Sequence, residues 1–565
     1  MLKNYLTIAL RTLRRHTGYT VVNVFGLAFG LACCLLIGLF VYDEFSYDDF
    51  HEDADRLYFV GKDHAFGGAR EEGMSTQLPL ARAMEREIAG VEAVATTTYA
   101  SEGSILRPEA GQEADARILF ADSTFLELFT FPLVHGDAGE ALDAPNTVVL
   151  TQRLARQLFG DADPVGQAVE IPRYADEPLV YTVTGVLAPP PSNSYFQFEA
   201  LAALSTLRET RLSSGWGGSM YLTFARLGEG VQPAAVEAGL VDVVRTHMGE
   251  GEVDETRYFL VPMTDLYLSA LTQDDGFKGS RRYVRLFVSI ALFILLVAIV
   301  NYMNLATART AQRVREVGVR KTIGASRAQV MRQFLAEAVL VTGIAFALAV
   351  ALAQLALPVF NTVFGKSLSL ADALEPPLAL LAVALLLATG LAAGSYPALY
   401  LSHFRPARIL RREAGGRGGA AWLRKGLVVL QFGITVVLLV ATATVYQQLR
   451  YTQTKDLGFA GEQVLSLAFA DNAMAFQHAA VKQAVLRHPG VLSASATNSV
   501  PGSYAMRYGF HPDTTDHDRQ VMFYSVLGDH DYLKTLGLAL TAGRAFDPDR
   551  PSDATEAILV NERGA

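Results

Sequence analysis

The chain has 565 residues, of which 51% are hydrophobic and only 19% are charged. A soluble protein carries about 25% charged residues, so the composition excludes a purely soluble enzyme, and so much apolar surface also excludes a disordered chain. The net charge of −9, from 48 basic and 57 acidic residues, argues against nucleic acid as a partner. The two cysteines, Cys33 and Cys34, are adjacent in an apolar block, so they do not indicate a secreted disulfide scaffold.

Five apolar blocks contain no Asp, Glu, Lys or Arg, and each is close to the roughly 20 residues that cross a bilayer. Buried core helices are the alternative, but they usually run ~10–14 residues and keep a polar face. The blocks are residues 20–42, 286–303, 338–359, 378–400 and 426–446. The predicted membrane spans have the same bounds, except that the first begins at residue 19 and the second at residue 285.

Basic residues between the spans predict the orientation. Residues 1–18 contain four basic side chains and no acidic one, and segments 304–337 and 401–425 contain seven basic side chains each. By the positive-inside rule these three segments face the cytoplasm. Residues 1–18 also carry a leucine stripe, which predicts a short interfacial helix before an uncleaved anchor.

The remaining segments are then extracytoplasmic: residues 43–284, the loop 360–377, and residues 447–565. The first of these contains 39 acidic and 18 basic side chains, a balance typical of a solvated acidic surface. Its pattern mixes β-like runs with helical ones and predicts an α+β domain. The β-like runs are 147–150 and 181–186, and the helical ones are 78–88 and 151–159.

The segment after the fifth span repeats the plan of the first extracytoplasmic domain. The string FADSTFLELFTFPLVHG at 120–136 aligns without gaps with LGDHDYLKTLGLALTAG at 527–543 and places Asp122 opposite Asp529. Such similarity predicts the duplication of an anchor-plus-domain unit, with roughly 250 residues of the second copy absent, either because the sequence is a fragment or because the gene is truncated. Two more pairs of segments align: 90–99 with 490–499, and 147–153 with 557–563. The second alignment predicts a β-strand that ends at Val560 and has an unpaired edge.

Four stretches resemble the FtsX-like permeases of MacB-type ABC transporters, in their long duplicated bacterial form. They are MLKNYLTIALRTLRRHTGYTVVNVFGLAFG at 1–30, NYMNLATARTAQRVREVGVRKTIGASRAQVMRQFLAEA at 301–338, GSYPALYLSHFRPARILR at 394–411 and LRKGLVVLQFGITVVLLVATATVYQQLRYTQTKDLGF at 423–459. The resemblance implies a multi-pass protein of the bacterial inner membrane with MacB-like periplasmic core domains.

The resemblance also implies that segment 304–337 holds a coupling helix that rests on an ABC ATPase subunit. The residues expected at this contact are Arg313, Arg315, Glu316, Val317, Gly318, Arg320, Lys321, Gly324 and Arg327. Valines 314, 317 and 319 would supply apolar contact, and Glu316 could pair with Arg320 at i+4. The alternative is that these cations only follow the positive-inside rule and bind lipid head groups.

Motifs for catalysis are missing from the sequence, so we predict no catalytic, cofactor-binding or metal-binding residues and expect a partner subunit to bind ATP. Gly365-Lys366-Ser367 resembles the end of a P-loop, but Phe360 stands where a Walker A motif needs glycine. Neither H-E-x-x-H nor C-x-x-C occurs. The stretch HPDTTDHD at 511–518 is better explained as a polar loop than as a metal site, and Asp43 and Glu44 as solvated charges beside the membrane.

The leading hypothesis is therefore the permease subunit of an ABC system. An ATPase partner would drive its extracytoplasmic domains against each other, a mechanotransmission mechanism for export or extraction of a substrate. The alternative is a non-transporting signalling or scaffold protein that regulates an extracytoplasmic partner such as a cell-wall hydrolase. A membrane-anchored enzyme is disfavoured by the missing catalytic constellation. Expected partners are the ATPase, membrane lipids and an extracytoplasmic accessory protein.

Overall fold

The computed structural model describes most of the chain as two compact units. The membrane unit comprises Met1–Tyr47 and Gly279–Thr454, and the extracytoplasmic unit Asp48–Lys278 and Lys455–Ala565. The described residues are 17–66, 69–171, 179–208, 215–269, 271, 279–308, 317–402, 419–459, 461, 463–467, 469, 474–475, 477–502, 506–510 and 521–564. The predicted interfacial helix and most of linker 401–425 lie outside them.

In the described part of the membrane unit, five helices are long and apolar enough to cross a membrane. They are Thr17–Phe45, Arg281–Ala308, Arg327–Phe364, Pro376–Ser402 and Gly419–Thr454, called here the first to fifth membrane helices. Each contains one of the predicted apolar blocks. The third is the longest, with 38 residues, and it begins inside the predicted cytoplasmic segment 304–337.

Small residues let the first four membrane helices approach closely. A Cβ on Gly30 of the first helix would lie 2.9 Å from the Cβ of Ala298 on the second. A Cβ on Gly394 of the fourth helix would lie 2.6 Å from the Cβ of Ala338 on the third, and Gly390 precedes Gly394 in a G-x-x-x-G pair. Lipid is as apolar as the helices, so close packing of this kind stabilises their association. The fifth helix contacts the second.

The described part of the first extracytoplasmic domain contains a sheet of twelve strands. The strands are β1 Leu57–Phe66, β2 Ala69–Gly73, β3 Val91–Thr97, β4 Ser101–Arg107, β5 Gln112–Ala121, β6 Leu133–His135, β7 Thr147–Thr151, β8 Ala168–Ile171, β9 Leu179–Leu187, β10 Ala200–Ala203, β11 Leu222–Leu227 and β12 Thr256–Pro262. The helices are Leu80–Glu87, Phe125–Leu128, Gln152–Phe159, Ser205–Arg208, Pro233–His247 and Met263–Leu266.

The sheet has a closed part and an open part. Strand β10 pairs with both β5 and β7, and pairing continues through β9, β8 and β4 back to β5, which closes a six-stranded ring. The open part runs β3-β11-β1-β12, and helices Leu80–Glu87 and Pro233–His247 share its apolar core. The four sequence runs that predicted strands and helices here all form those elements, and the α+β prediction is confirmed.

The predicted repeat reappears in the hydrogen bonds of the two copies. The Asp122 N–H donates to the Thr96 carbonyl (3.0 Å), and Asp122 Oδ2 accepts from the Thr96 N–H (2.7 Å). Asp529 makes the same two bonds to Ala496, at 3.0 and 3.1 Å. Thr96 and Ala496 are themselves aligned in the sequence repeat, so the two copies share this local geometry.

The predicted strand ending at Val560 is wrong, because residues 557–560 form no strand. Its counterpart in the first copy, β7, is held by β9 and β10, which both follow it in the chain. Residues 557–560 have no equivalent partners among the described residues, and extended backbone without a ladder gains no pairing energy. The described strands of the second copy are β13 Met506–Phe510 and β14 Val521–Ser525, an antiparallel pair.

Candidate functional site

The described part of the coupling segment (residues 304–337) is a helix, a tight turn and the start of the third membrane helix. Residues 317–322 are helical. Gly324 then adopts a φ of +101°, a left-handed conformation that favours glycine and ends the helix. Ser326 begins the next helix with a capping box, in which its side chain and that of Gln329 each bond the other's backbone N–H.

Hydrogen bonds brace this short helix against the third and fourth membrane helices. Arg320 Nη1 donates to Gln333 Oε1 (2.7 Å), and Lys321 Nζ donates to the carbonyl of Ser402 (2.7 Å). Arg327 Nε donates to the Ser402 hydroxyl (3.3 Å). Partial burial, together with the nearby Arg327 charge, lowers the pKa of Lys321. These cations therefore fix the segment to its own chain.

The apolar residues of the segment divide into a buried and an exposed set. Val317 is 1% exposed and packs with Val330, Phe334 and Ala398. The prediction that Val317 supplies contact to a partner therefore does not hold in this structure, because its side chain is covered by its own chain. Val319, in contrast, is 57% exposed.

The sequence analysis missed Ile323, whose side chain is 81% exposed. The signal was the spacing, because residues four apart lie on the same face of a helix and Ile323 follows Val319 by four. Ile323 lies in the turn directly after the helix, and its N–H donates to the Val319 carbonyl (3.2 Å), so the two exposed residues stand one turn apart. Together they form an apolar surface, defined here as the Val319/Ile323 face.

Several predicted site residues lie outside the described part of the chain. They are Arg313, Arg315 and Glu316, together with Val314 and the expected Glu316–Arg320 pair. The stretch 511–518 also lies outside it. In the residues that the structure describes, no group of three His, Cys, Asp or Glu side chains is arranged to hold a metal ion.

The fold and this site define a class: a multi-span α-helical membrane protein that carries a large α+β extracytoplasmic domain after its first span and a basic, braced helix after its second. Comparison with known families gives the particular one. Residues 20–243 match the MacB-like periplasmic core domain, and residues 288–406 match the FtsX-like permease C-terminal family. The chain therefore carries the two domains of MacB/FtsX-type permeases, and for both domains the resemblance drawn from its sequence is confirmed.

Individual relatives are similar to this chain over part of their length. The macrolide export ATP-binding/permease protein MacB of Neisseria gonorrhoeae is 26% identical over 280 residues, which cover 49% of this chain and 40% of that protein. The protein of the same name from Chromobacterium violaceum is 26% identical over 361 residues, covering 63% and 52%. The chain thus spans about half or less of the length of these two relatives, and it matches their permease part.

Among solved structures, a domain of a permease protein from Porphyromonas gingivalis is 24% identical, with a TM-score of 0.33. The match covers 40% of this chain and 96% of that domain. Members of the MacB/FtsX family work with an ABC ATPase, which makes the coupling segment the region of interest for this chain.

Proposed function

We propose that this chain is a permease subunit that converts ATP hydrolysis by a separate ABC ATPase into movement of its extracytoplasmic domains. The movement serves export or extraction of a substrate that is handled on the outer side of the membrane. In this proposal residues 1–18, 304–337 and 401–425 face the cytoplasm, where the ATPase docks.

The observation that carries the proposal is the Val319/Ile323 face. Its valine and isoleucine are 57% and 81% exposed, so together they form an apolar surface that a docked partner would remove from water. The bracing of Arg320 and Lys321 by the third and fourth membrane helices supports the same role, because a rigid contact transmits displacement while a loose one absorbs it.

The charges of the coupling segment favour an ATPase surface that is partly apolar and partly acidic. In the described part of the segment, Arg320 and Lys321 are held by bonds within the chain, Arg327 is exposed although its Nε bonds Ser402, and Arg332 is exposed. A partner cleft with an apolar floor and acidic rim would complement this surface. A membrane surface is the alternative, because its head groups would bind the same cations and its acyl boundary would cover the Val319/Ile323 face. ATPase binding is the measurement that separates the two.

Purified full-length chain in nanodiscs, mixed with the ABC ATPase that co-purifies with it from host membranes, tests the proposal. We expect Ile323→Asp to lower ATPase binding at least tenfold and to abolish stimulation of ATP hydrolysis. Ile558→Asp is the matched control, because Ile558 is 65% exposed in the second extracytoplasmic copy and should change neither quantity. Equal ATPase binding by Ile323→Asp and the unmodified chain would contradict the proposal.

A further inference from the structure

The outer end of the first membrane helix carries two carboxylates that are not solvated, contrary to the sequence interpretation. Glu44 is 4% exposed. Lys366, in the loop after the third membrane helix, places its Nζ 2.6 Å from Asp43 Oδ2 and 2.7 Å from Glu44 Oε1. The Tyr47 hydroxyl lies 3.4 Å from the same Nζ. Residues more than 300 positions apart thus meet in one ion cluster, defined here as Lys366, Asp43 and Glu44.

The backbone holds Lys366 in place for this contact. Gly365 ends the third membrane helix at a φ of +62°, and the N–H of Lys366 returns to the carbonyl of Asn361 (3.0 Å). The Asn361 amide then bonds both the N–H of Leu368 (3.2 Å) and its carbonyl (2.8 Å). The string Gly365-Lys366-Ser367 is therefore a helix end that aims the lysine at the first helix.

The cluster is well shielded from water. The side chains of Lys366, Asp43 and Glu44 are 12%, 16% and 5% exposed, and the ammonium lies over the ring of Tyr47, 4.9 Å from its centroid. Burial opposes the charge on Lys366, but the hydrogen bonds to Asp43 and Glu44 outweigh it and raise its pKa. The raised pKa keeps the Lys366 ammonium charged through neutral and mildly alkaline pH.

Shielded ion pairs of this kind add little net stability, because removing charges from water costs nearly what their attraction returns. Such pairs do hold the two helices in one arrangement, because separating the partners leaves a buried charge without compensation. The third membrane helix is a single helix of 38 residues, about 57 Å at 1.5 Å per residue, with Pro358 near its outer end, and it runs from the coupling segment to this cluster. At one end its Val330 and Phe334 pack against Val317 of the short coupling helix. At the other end Lys366 binds the first helix.

We propose that Lys366, through Asp43 and Glu44, is a positioning residue that ties the outer end of the third membrane helix to that of the first. Displacement of the third helix is thereby passed to the first helix and to the chain that follows it into the extracytoplasmic domain. The inference rests on the proposed function for the origin of the displacement, whereas the tie itself exists without any ATPase.

Distance measurement between two spin labels tests the tie in the full chain in nanodiscs. The labels replace Phe45 and Val363, which are 57% and 70% exposed, in a background with both native cysteines changed to alanine. We expect a narrow distance distribution in the otherwise unmodified chain, at least a doubling of its width in Lys366→Met, and a return to the narrow distribution in Lys366→Arg. Lys425→Met removes an exposed lysine from the fifth helix and should leave the distribution narrow.

A distribution in Lys366→Met as narrow as in the unmodified chain would overturn the inference. Should Lys366→Met fail to yield a monodisperse protein, the double substitution Asp43→Asn with Glu44→Gln replaces it, because it removes both carboxylates that pair with Lys366. A width unchanged in that double variant would overturn the inference equally. Because this experiment contains no ATPase, a negative result would contradict the tie between the two helices and would leave the proposed coupling to an ATPase untouched. With the ATPase added, Lys366→Met should keep ATPase binding, which depends on the opposite end of the helix.

Discussion

Two apolar residues of the coupling segment, six positions apart, should behave in opposite ways when truncated. Val317→Ala removes two methyl groups from a side chain that is 1% exposed, so it should lower the free energy of unfolding by about 2 kcal/mol, from lost burial and an unfilled cavity. Ile323→Ala alters a side chain that is 81% exposed, so it should change the free energy of unfolding by less than about 0.5 kcal/mol.

The order reverses once an ATPase covers the segment. Burying the isoleucine at an interface would stabilise the complex by about 2 kcal/mol relative to alanine, which corresponds to a roughly 30-fold weaker Kd for Ile323→Ala. Denaturant titration of each purified variant measures the first quantity, and ATPase binding to nanodisc-embedded variants measures the second. The reasoning is refuted if Ile323→Ala unfolds as readily as Val317→Ala while binding the ATPase as tightly as the unmodified chain.

Three further predictions test the packing and the electrostatics. Gly394→Ala should destabilise the membrane unit by about 1–3 kcal/mol, because the added methyl group clashes with the third helix. Gly343→Ala has open space around its Cβ and should leave the stability unchanged. Unfolding in mixed micelles measures the stability of both variants. Gly136→Ala should destabilise the extracytoplasmic unit by about 2 kcal/mol or more, because its φ is +100° and the added Cβ would lie 2.5 Å from a carbonyl oxygen. Gly160→Ala, at a φ of +62° with open space around its Cβ, should lower the melting temperature less. Burial raises the pKa of the Asp48 carboxyl, so the folded chain holds its proton more tightly than the unfolded chain and loses stability as pH rises through the raised pKa. Asp48→Asn should therefore gain stability relative to the unmodified chain as pH increases above about 4. A difference in melting temperature that does not change with pH would contradict this.

The membrane helices and the α+β domain could be predicted because their signals are local. Uninterrupted apolar runs specify spans, and alternation specifies strands such as β7 and β9. The repeat could be predicted for a similar reason, since Asp122 and Asp529 keep both their position and their bonds to the preceding segment.

The position of the coupling site stays a prediction, and its internal arrangement could not be predicted from the sequence. Which valine faces inward depends on how residues 317–322 dock against Phe334 and Ala398, and no pattern within the segment contains that information. The pairing of Lys366 with Glu44 depends on two helices meeting from distant parts of the sequence, so the carboxylates were interpreted as solvated. Long-range contacts of this kind require the packed structure.

If an ATPase moves the extracytoplasmic domains through this chain, a distance measured across those domains must change with ATP. Fluorophores placed at Glu109 and Leu492, both exposed, report on the first and second copies in a cysteine-free background. With the ATPase bound, we predict that ATP changes the energy transfer between them and that Ile323→Asp abolishes the change. Steady ATP hydrolysis by the assembled complex with unchanged energy transfer would contradict the account.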